Sequence, residues 1–116
     1  MFIWAVGEPS RLDPHVQTAI ASPTNQVFVS AATAWEISIK QALGRLTFPL
    51  DVWEDMLRRM GFEALPIQPT HAIAAGRLPR HHDDPFDRML IAQAKADNLT
   101  LATTDQLIAR YDVALI

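Results

Sequence analysis

The chain contains no cysteine, which excludes disulfides, thiolate metal ligands and cysteine nucleophiles together. A bound metal would have to be held by carboxylates or histidines. Only four glycines occur in 116 residues, isolated at Gly7, Gly44, Gly61 and Gly76, so there is no glycine-rich phosphate loop. No serine sits in a nucleophile elbow either. No apolar run approaches the ~20 residues of a membrane span, and Met1 to Val6 lacks both a basic leader and a full-length apolar region of signal type. These absences predict a cytoplasmic protein with no membrane association. Lysine is scarce: Lys40 and Lys95 stand beside eight arginines, and the formal charge is −3. That balance disfavours a generally basic phosphate-coating protein, because such binders draw most of their affinity from clustered cations. Any recognition of nucleic acid must be local.

What is present is a folding composition, 49% hydrophobic and 20% charged, at a length suited to one compact domain with its own core. We therefore take residues 1–116 as a single domain. Repeats, low-complexity tracts and linker-like stretches are absent, and the prolines fall singly at element boundaries. Asp13-Pro14 predicts a short helix over 14–22, capped by the aspartate. Val27-Phe28-Val29 is an apolar, β-rich run suited to an interior strand. A helix over 31–43 follows, stopped by Gly44, and Asp51 is expected to cap a further helix ending near Gly61. Glu63 to Ile67 reads as a short strand, and Thr70 as the cap of a helix to about Leu78. Asp84-Pro85 opens a helix over 85–97, with strands expected at Leu99 to Ala102 and Val113 to Leu115. Strands separated by helices imply a parallel sheet covered on both faces, hence an α/β fold. Met1 to Val6, running straight into Gly7-Glu8-Pro9, reads as a helix end or the start of a loop, not as a founding strand.

Three carboxylates stand out by position. In the 31–43 helix Ala32, Trp35, Ile39 and Leu43 form an apolar stripe, with Glu36 at its border and expected to be half buried. Asp87 heads the face shared by Leu90, Ile91 and Ala94, where a carboxylate needs a partner. Asp105 directly follows the strand and Thr103-Thr104, which places it at the carboxyl end of the sheet. Ligands of open α/β sheets bind along that edge, and clustered carboxylates call for a hard divalent cation, Mg²⁺ or Mn²⁺. Each residue also has a plainer reading. Glu36 pairs equally well with Lys40 one turn on. Asp84 suits the N-cap with Pro85 at N1, Asp87 suits a capping-box variant, and Asp105 could cap a helix over 106–111. His81-His82 lacks the helical spacing of zinc hydrolases and reads as loop, while His15 and His71 read as surface or boundary residues.

The segments Val29-Ser30-Ala31-Ala32-Thr33-Ala34-Trp35-Glu36-Ile37, Asp84-Pro85-Phe86-Asp87-Arg88-Met89-Leu90-Ile91-Ala92-Gln93-Ala94 and Leu101-Ala102-Thr103-Thr104-Asp105 resemble PIN-domain toxins of the VapC type. The likeness extends to Ala42-Leu43-Gly44-Arg45-Leu46 and Arg110-Tyr111. It implies a metal-dependent endoribonuclease inhibited by a cognate antitoxin, with homodimerisation. By resemblance, Glu36, Asp87 and Asp105 take the second, third and fourth acidic positions around Mg²⁺ or Mn²⁺. Asp84 matches a further family aspartate, as a cap or near the metal, and Arg88 is a candidate for phosphate contact. The family's first strand and first metal-binding aspartate have no counterpart, since the matching text begins after them. The resemblance thus predicts a domain without its first strand. The alternative from another class is an inactive binding module that pairs with an antitoxin and with itself. A receiver-like phosphoacceptor domain fits less well, lacking an early acidic pair.

Overall fold

The computed structural model describes residues 2–4, 25–81, 83–102 and 111. The expected helix over 14–22, the strand at 113–115, and His15, His82 and Asp105 lie outside them. Four strands, β1 (Phe2–Trp4), β2 (Val27–Ser30), β3 (Glu63–Leu65) and β4 (Thr100–Ala102), form one sheet in the order β3-β2-β1-β4. All pairings are parallel. The flanking helices are α1 (Ala31–Ala42), α2 (Trp53–Met60), α3 (Pro69–Arg77) and α4 (Pro85–Asp97). The α/β class expected from strands spaced by helices is the class observed.

The reading of Met1 to Val6 as a helix end or loop is overturned at its described residues. Phe2–Trp4 is a strand, and it holds a central place in the sheet: Phe2 is level with Val27 and Thr100, Ile3 with Phe28 and Leu101, Trp4 with Ala102. The slot from which the resemblance removed a strand is filled by these residues. Phe2, Ile3 and Trp4 are all β-favouring, but three residues with no turn before them are too few to fix a strand alone. Their state is decided by two neighbouring strands whose backbone groups need partners.

The core forms where α4 packs near β4. Leu90, Ile91 and Ala94 cluster with Leu99, Leu101 and Tyr111, and Phe28, Leu65 and Leu78 pack against them. Val27 and Val29 are buried on β2. Complete burial of a Leu or Ile side chain, as at Leu101 and Ile91, contributes about 1.5–3 kcal/mol each. This cluster anchors α4 and therefore the position of everything in its first turn.

The helix ends follow the expected stop signals better than the expected starts. Gly61 ends α2 at φ 74°, Gly44 lies just beyond α1 at φ 72°, and Asn98 ends α4 at φ 54°; all use the left-handed region favoured at helix termini. Asp51, however, lies in a 3₁₀ turn, Leu50–Val52, and α2 starts after it with no side-chain cap. Thr70 is already inside α3, whose N-cap is Gln68. That helix end is secured by His71, whose Nδ1 accepts the Gln68 N–H at 3.0 Å. His71 is thus buried, not a surface residue, and its Nε2 lies 3.6 Å from Asp97 Oδ2 on α4.

Candidate active site

β2 passes into α1 without a loop. Ser30 is both the last residue of the strand and the N-cap of the helix, its Oγ accepting from the Ala32 N–H at 3.0 Å. Glu36 then falls in the second turn. Its side chain is only 12% exposed, and Lys40 Nζ lies 3.2 Å from its Oε1. It is more buried than the half expected, and it makes the i+4 pair that the plainer reading offered.

The stripe on α1 is another matter. Ala32 is buried, together with Thr33 and Ile37, but Trp35, Ile39 and Leu43 are 60%, 36% and 63% exposed. The helix is rotated relative to the expected apolar face. Its inward side uses smaller residues against β2 and α4, leaving three large apolar side chains in solvent.

On the facing helix, Asp84 is the N-cap of α4. Its Oδ1 accepts from the Phe86 N–H at 2.8 Å and the Asp87 N–H at 3.3 Å, occupying two of the donors a helix start leaves unsatisfied. Asp87 follows in the first turn and is half buried. Two ties hold α1 and α4 together beside these acids. The first is an edge-to-face contact of Trp35 with Phe86, ring centroids 5.0 Å apart at 71°. Because Trp35 precedes Glu36 and Phe86 precedes Asp87, this contact holds the two acidic turns against each other. The second is polar. Ser30 Oγ donates to Gln93 Oε1 at 2.5 Å, and Gln93 Nε2 donates to the Pro66 carbonyl at 3.2 Å. Gln93 is fully buried, so one side chain joins the end of β2, the middle of α4 and the segment after β3.

Among the described residues no group of three or more acids or histidines is placed to hold a metal. Glu36 and Asp87 are two of the predicted set, and Asp105 is three residues beyond the end of β4, outside the description. The sheet order gives that position meaning. The chain steps outward from β1 through β2 to β3, then returns to the other side of β1 for β4. Such a reversal opens a crevice at the carboxyl ends of the strands beside it, here β1 and β4.

Arg88 is engaged within the protein. Its guanidinium donates to the carbonyls of Ala75, Leu78 and Pro79 at 2.9, 2.9 and 3.0 Å, and reaches Tyr111 Oη at 3.4 Å. Tyr111 in turn donates to the Pro79 carbonyl at 2.6 Å and accepts from the His81 N–H at 3.1 Å. Together they fix the end of α3 and the segment leading to α4, satisfying carbonyls that a helix C-terminus leaves open. Arg80, beside them, is exposed and has no hydrogen bond or ion pair among the described residues. A pocket of about 390 Å³ opens between α1, α3 and the first turn of α4, with Trp35, Phe86, Met89, Ile67, Arg80 and Asp83 in its wall.

Gln93 and Tyr111 stand in segments that carry the family resemblance, but the sequence assigns neither a role. Gln93 carried a signal: it is a lone amide in a run, Leu90 to Ala94, whose other members are all apolar and buried. Tyr111 carried none, since its partners are about 30 residues away along the chain.

The model of the PIN domain matches residues 1–114. No curated protein matches the chain. Among solved structures, a chain of the FitAB complex bound to a DNA fragment is similar, with TM-score 0.69 and 20% identity over 100% of this chain and 94% of that one. A chain of the FitAcB crystal structure from Neisseria gonorrhoeae gives TM-score 0.59 and 19% identity over 100% and 96%. At these identities the likeness is one of fold.

Proposed function

The chain belongs to the PIN-domain family, and from that premise we propose that it is a metal-dependent endoribonuclease toxin, cutting RNA phosphodiester bonds and restrained by a cognate antitoxin. The observation that carries this reading is the Trp35–Phe86 contact, which joins the turns bearing Glu36 and Asp87. Glu36, Asp87 and Asp105 are the proposed ligands, and oxygen-only donors suit Mg²⁺ or Mn²⁺. When bound, such an ion would neutralise phosphodiester charge and lower the pKa of a coordinated water. Lys40 balances the Glu36 charge, and Asp84 serves the site by capping the turn that carries Asp87. Arg88 was a candidate for phosphate contact; the bonds it makes suggest that it positions the α3–α4 segment instead. The open pair Ile39 and Leu43 is the face we assign to protein association, with an antitoxin or a second copy of the chain.

A second reading, a binding module without catalysis, is favoured by one feature. No carboxylate occurs between Met1 and Gly7, so the carboxyl end of β1, beside the crevice, carries no acid in its first three following positions. Incubating the purified chain with structured RNAs, with Mg²⁺ and with EDTA, separates the two. The nuclease reading expects EDTA-sensitive cleavage that falls by roughly 10- to 100-fold or more in Asp87→Asn and Glu36→Gln. Absence of cleavage from every RNA, with antitoxin binding retained, would favour the binding module.

A further inference from the structure

Resting on the ribonuclease reading, we infer that the pocket between α1, α3 and α4 seats one unstacked nucleobase of single-stranded RNA, with Arg80 at its rim meeting the adjoining phosphate. Three observations carry this. The first is chemical: the wall combines Trp35 and Phe86 with Met89 and Ile67. Trp35 stays 60% exposed although its ring meets Phe86, which leaves indole surface open to a third ring. Single-stranded RNA is recognised largely by stacking splayed bases on such rings.

The second is charge. The chain is acidic overall and has no basic coat, so a phosphate must be met by an uncommitted cation at one place. Arg88 is already engaged by three carbonyls, whereas Arg80 has no partner among the described residues and lines the same pocket. The third is position and size. The pocket wall is formed by Trp35 and Phe86, on the same helical turns as Glu36 and Asp87, while the two acids themselves stand outside its lining. At about 390 Å³, the pocket is at the small end of the ~300–1,000 Å³ range of ligand sites. A partner helix would engage the longer row through Ile39 and Leu43, which lies outside the pocket wall.

The test uses the full chain and a 2′-O-methylated oligoribonucleotide, which binds without being cut. Tryptophan emission is expected to be quenched by this oligonucleotide, with the quenching lost in Trp35→Phe while Trp4 and Trp53 stay. By anisotropy with an end-labelled oligonucleotide, Trp35→Ala and Arg80→Ala should each weaken binding roughly tenfold, and abasic substitution should do the same in the unmodified chain. Both side chains are exposed, and far-UV circular dichroism checks that the variants fold. Equal affinity for abasic and parent oligonucleotides, or quenching reproduced by inorganic phosphate, would overturn the base seat. So would quenching by an amphipathic peptide where the oligonucleotide gives none, which would assign the pocket to a protein partner. Mg²⁺-dependent cleavage without base dependence would sink this inference and spare the ribonuclease reading. Base-dependent binding with no cleavage of any RNA would do the reverse.

Discussion

Truncating Gln93 should expose how far the site's geometry depends on one buried amide. The side chain is fully buried, accepts from Ser30 Oγ at 2.5 Å and donates to the Pro66 carbonyl at 3.2 Å. In Gln93→Ala the Ser30 hydroxyl, itself fully buried, loses its acceptor, at a cost of about 1–3 kcal/mol for an orphaned group. Pro66 is exposed and its carbonyl can rehydrate, so only a net bond of about 0.5–1.5 kcal/mol is lost there. Each buried methylene removed adds roughly 0.8 kcal/mol. The expected destabilisation is about 2–5 kcal/mol, a large part of the ~5–15 kcal/mol that holds a domain folded. Ser30→Ala should cost a comparable amount, since it removes the cap on Ala32, about 0.5–2 kcal/mol, and strands the buried amide oxygen, about 1–3 kcal/mol. The double variant should fall short of the sum, because the second change no longer strands a partner. A coupling of about 0.5–3 kcal/mol is expected. Urea unfolding followed by circular dichroism measures it, with a 3 kcal/mol loss moving the midpoint by roughly 1.5 M for a slope near 2 kcal/mol/M. Additive single effects, or a Gln93→Ala cost below about 1 kcal/mol, would refute the bridge.

Three further expectations follow from individual contacts. Asp84→Asn should leave stability nearly unchanged, while Asp84→Ala should lose about 0.5–2 kcal/mol in thermal or urea unfolding, because asparagine caps helices as well as aspartate does; loss of Mg²⁺ affinity by calorimetry in the asparagine variant would show that Asp84 is also a ligand. Gly61→Ala places a side chain at φ 74° and should destabilise by about 1–2 kcal/mol, with an unaltered urea midpoint counting against the left-handed end of α2. Arg88→Lys should lower stability by about 1–3 kcal/mol, since an ammonium does not reproduce the guanidinium fork on three carbonyls; a variant as stable as the parent but weaker in RNA binding would return Arg88 to the substrate.

The sequence was most informative where a short-range rule acts alone. Val27 to Val29, the run 85–97 with its Asp84-Pro85 start, and the glycine after each of α1 and α2 were all placed from neighbours within a turn or two. Asp51 and Thr70 fit the same capping rule but do not cap these helices, because Gln68 with His71 supplies a competing start for α3 and the 3₁₀ turn at Leu50–Val52 shifts the start of α2 by one residue. The apolar stripe on α1 misled for a different reason. Helical spacing shows that Trp35, Ile39 and Leu43 share a side, but it cannot say which side faces the sheet when Ala32, Thr33 and Ile37 offer a second, smaller one. Close approach of α1 to β2 and α4 favours the smaller side. The large residues are left outside the core, and Trp35 lines the pocket.

β1 joins these points to the chemistry. Phe2, Ile3 and Trp4 are β-favouring but too few to fix a strand alone; β1 lies between β2 and β4 in register with both, and the backbone those neighbours present on either side holds it extended. That placement fixes the reversal in strand order, and with it the crevice edge. The turn bearing Glu36 is held to that bearing Asp87 by Trp35 and Phe86; Asp105 follows β4 within three residues; and β1 is followed by Ala5, Val6 and Gly7, none able to bind a cation through its side chain. The proposed metal would draw its carboxylates from α1, α4 and the segment after β4. Its affinity would depend on those acids and on the Trp35–Phe86 and Ser30–Gln93 ties that hold their elements together.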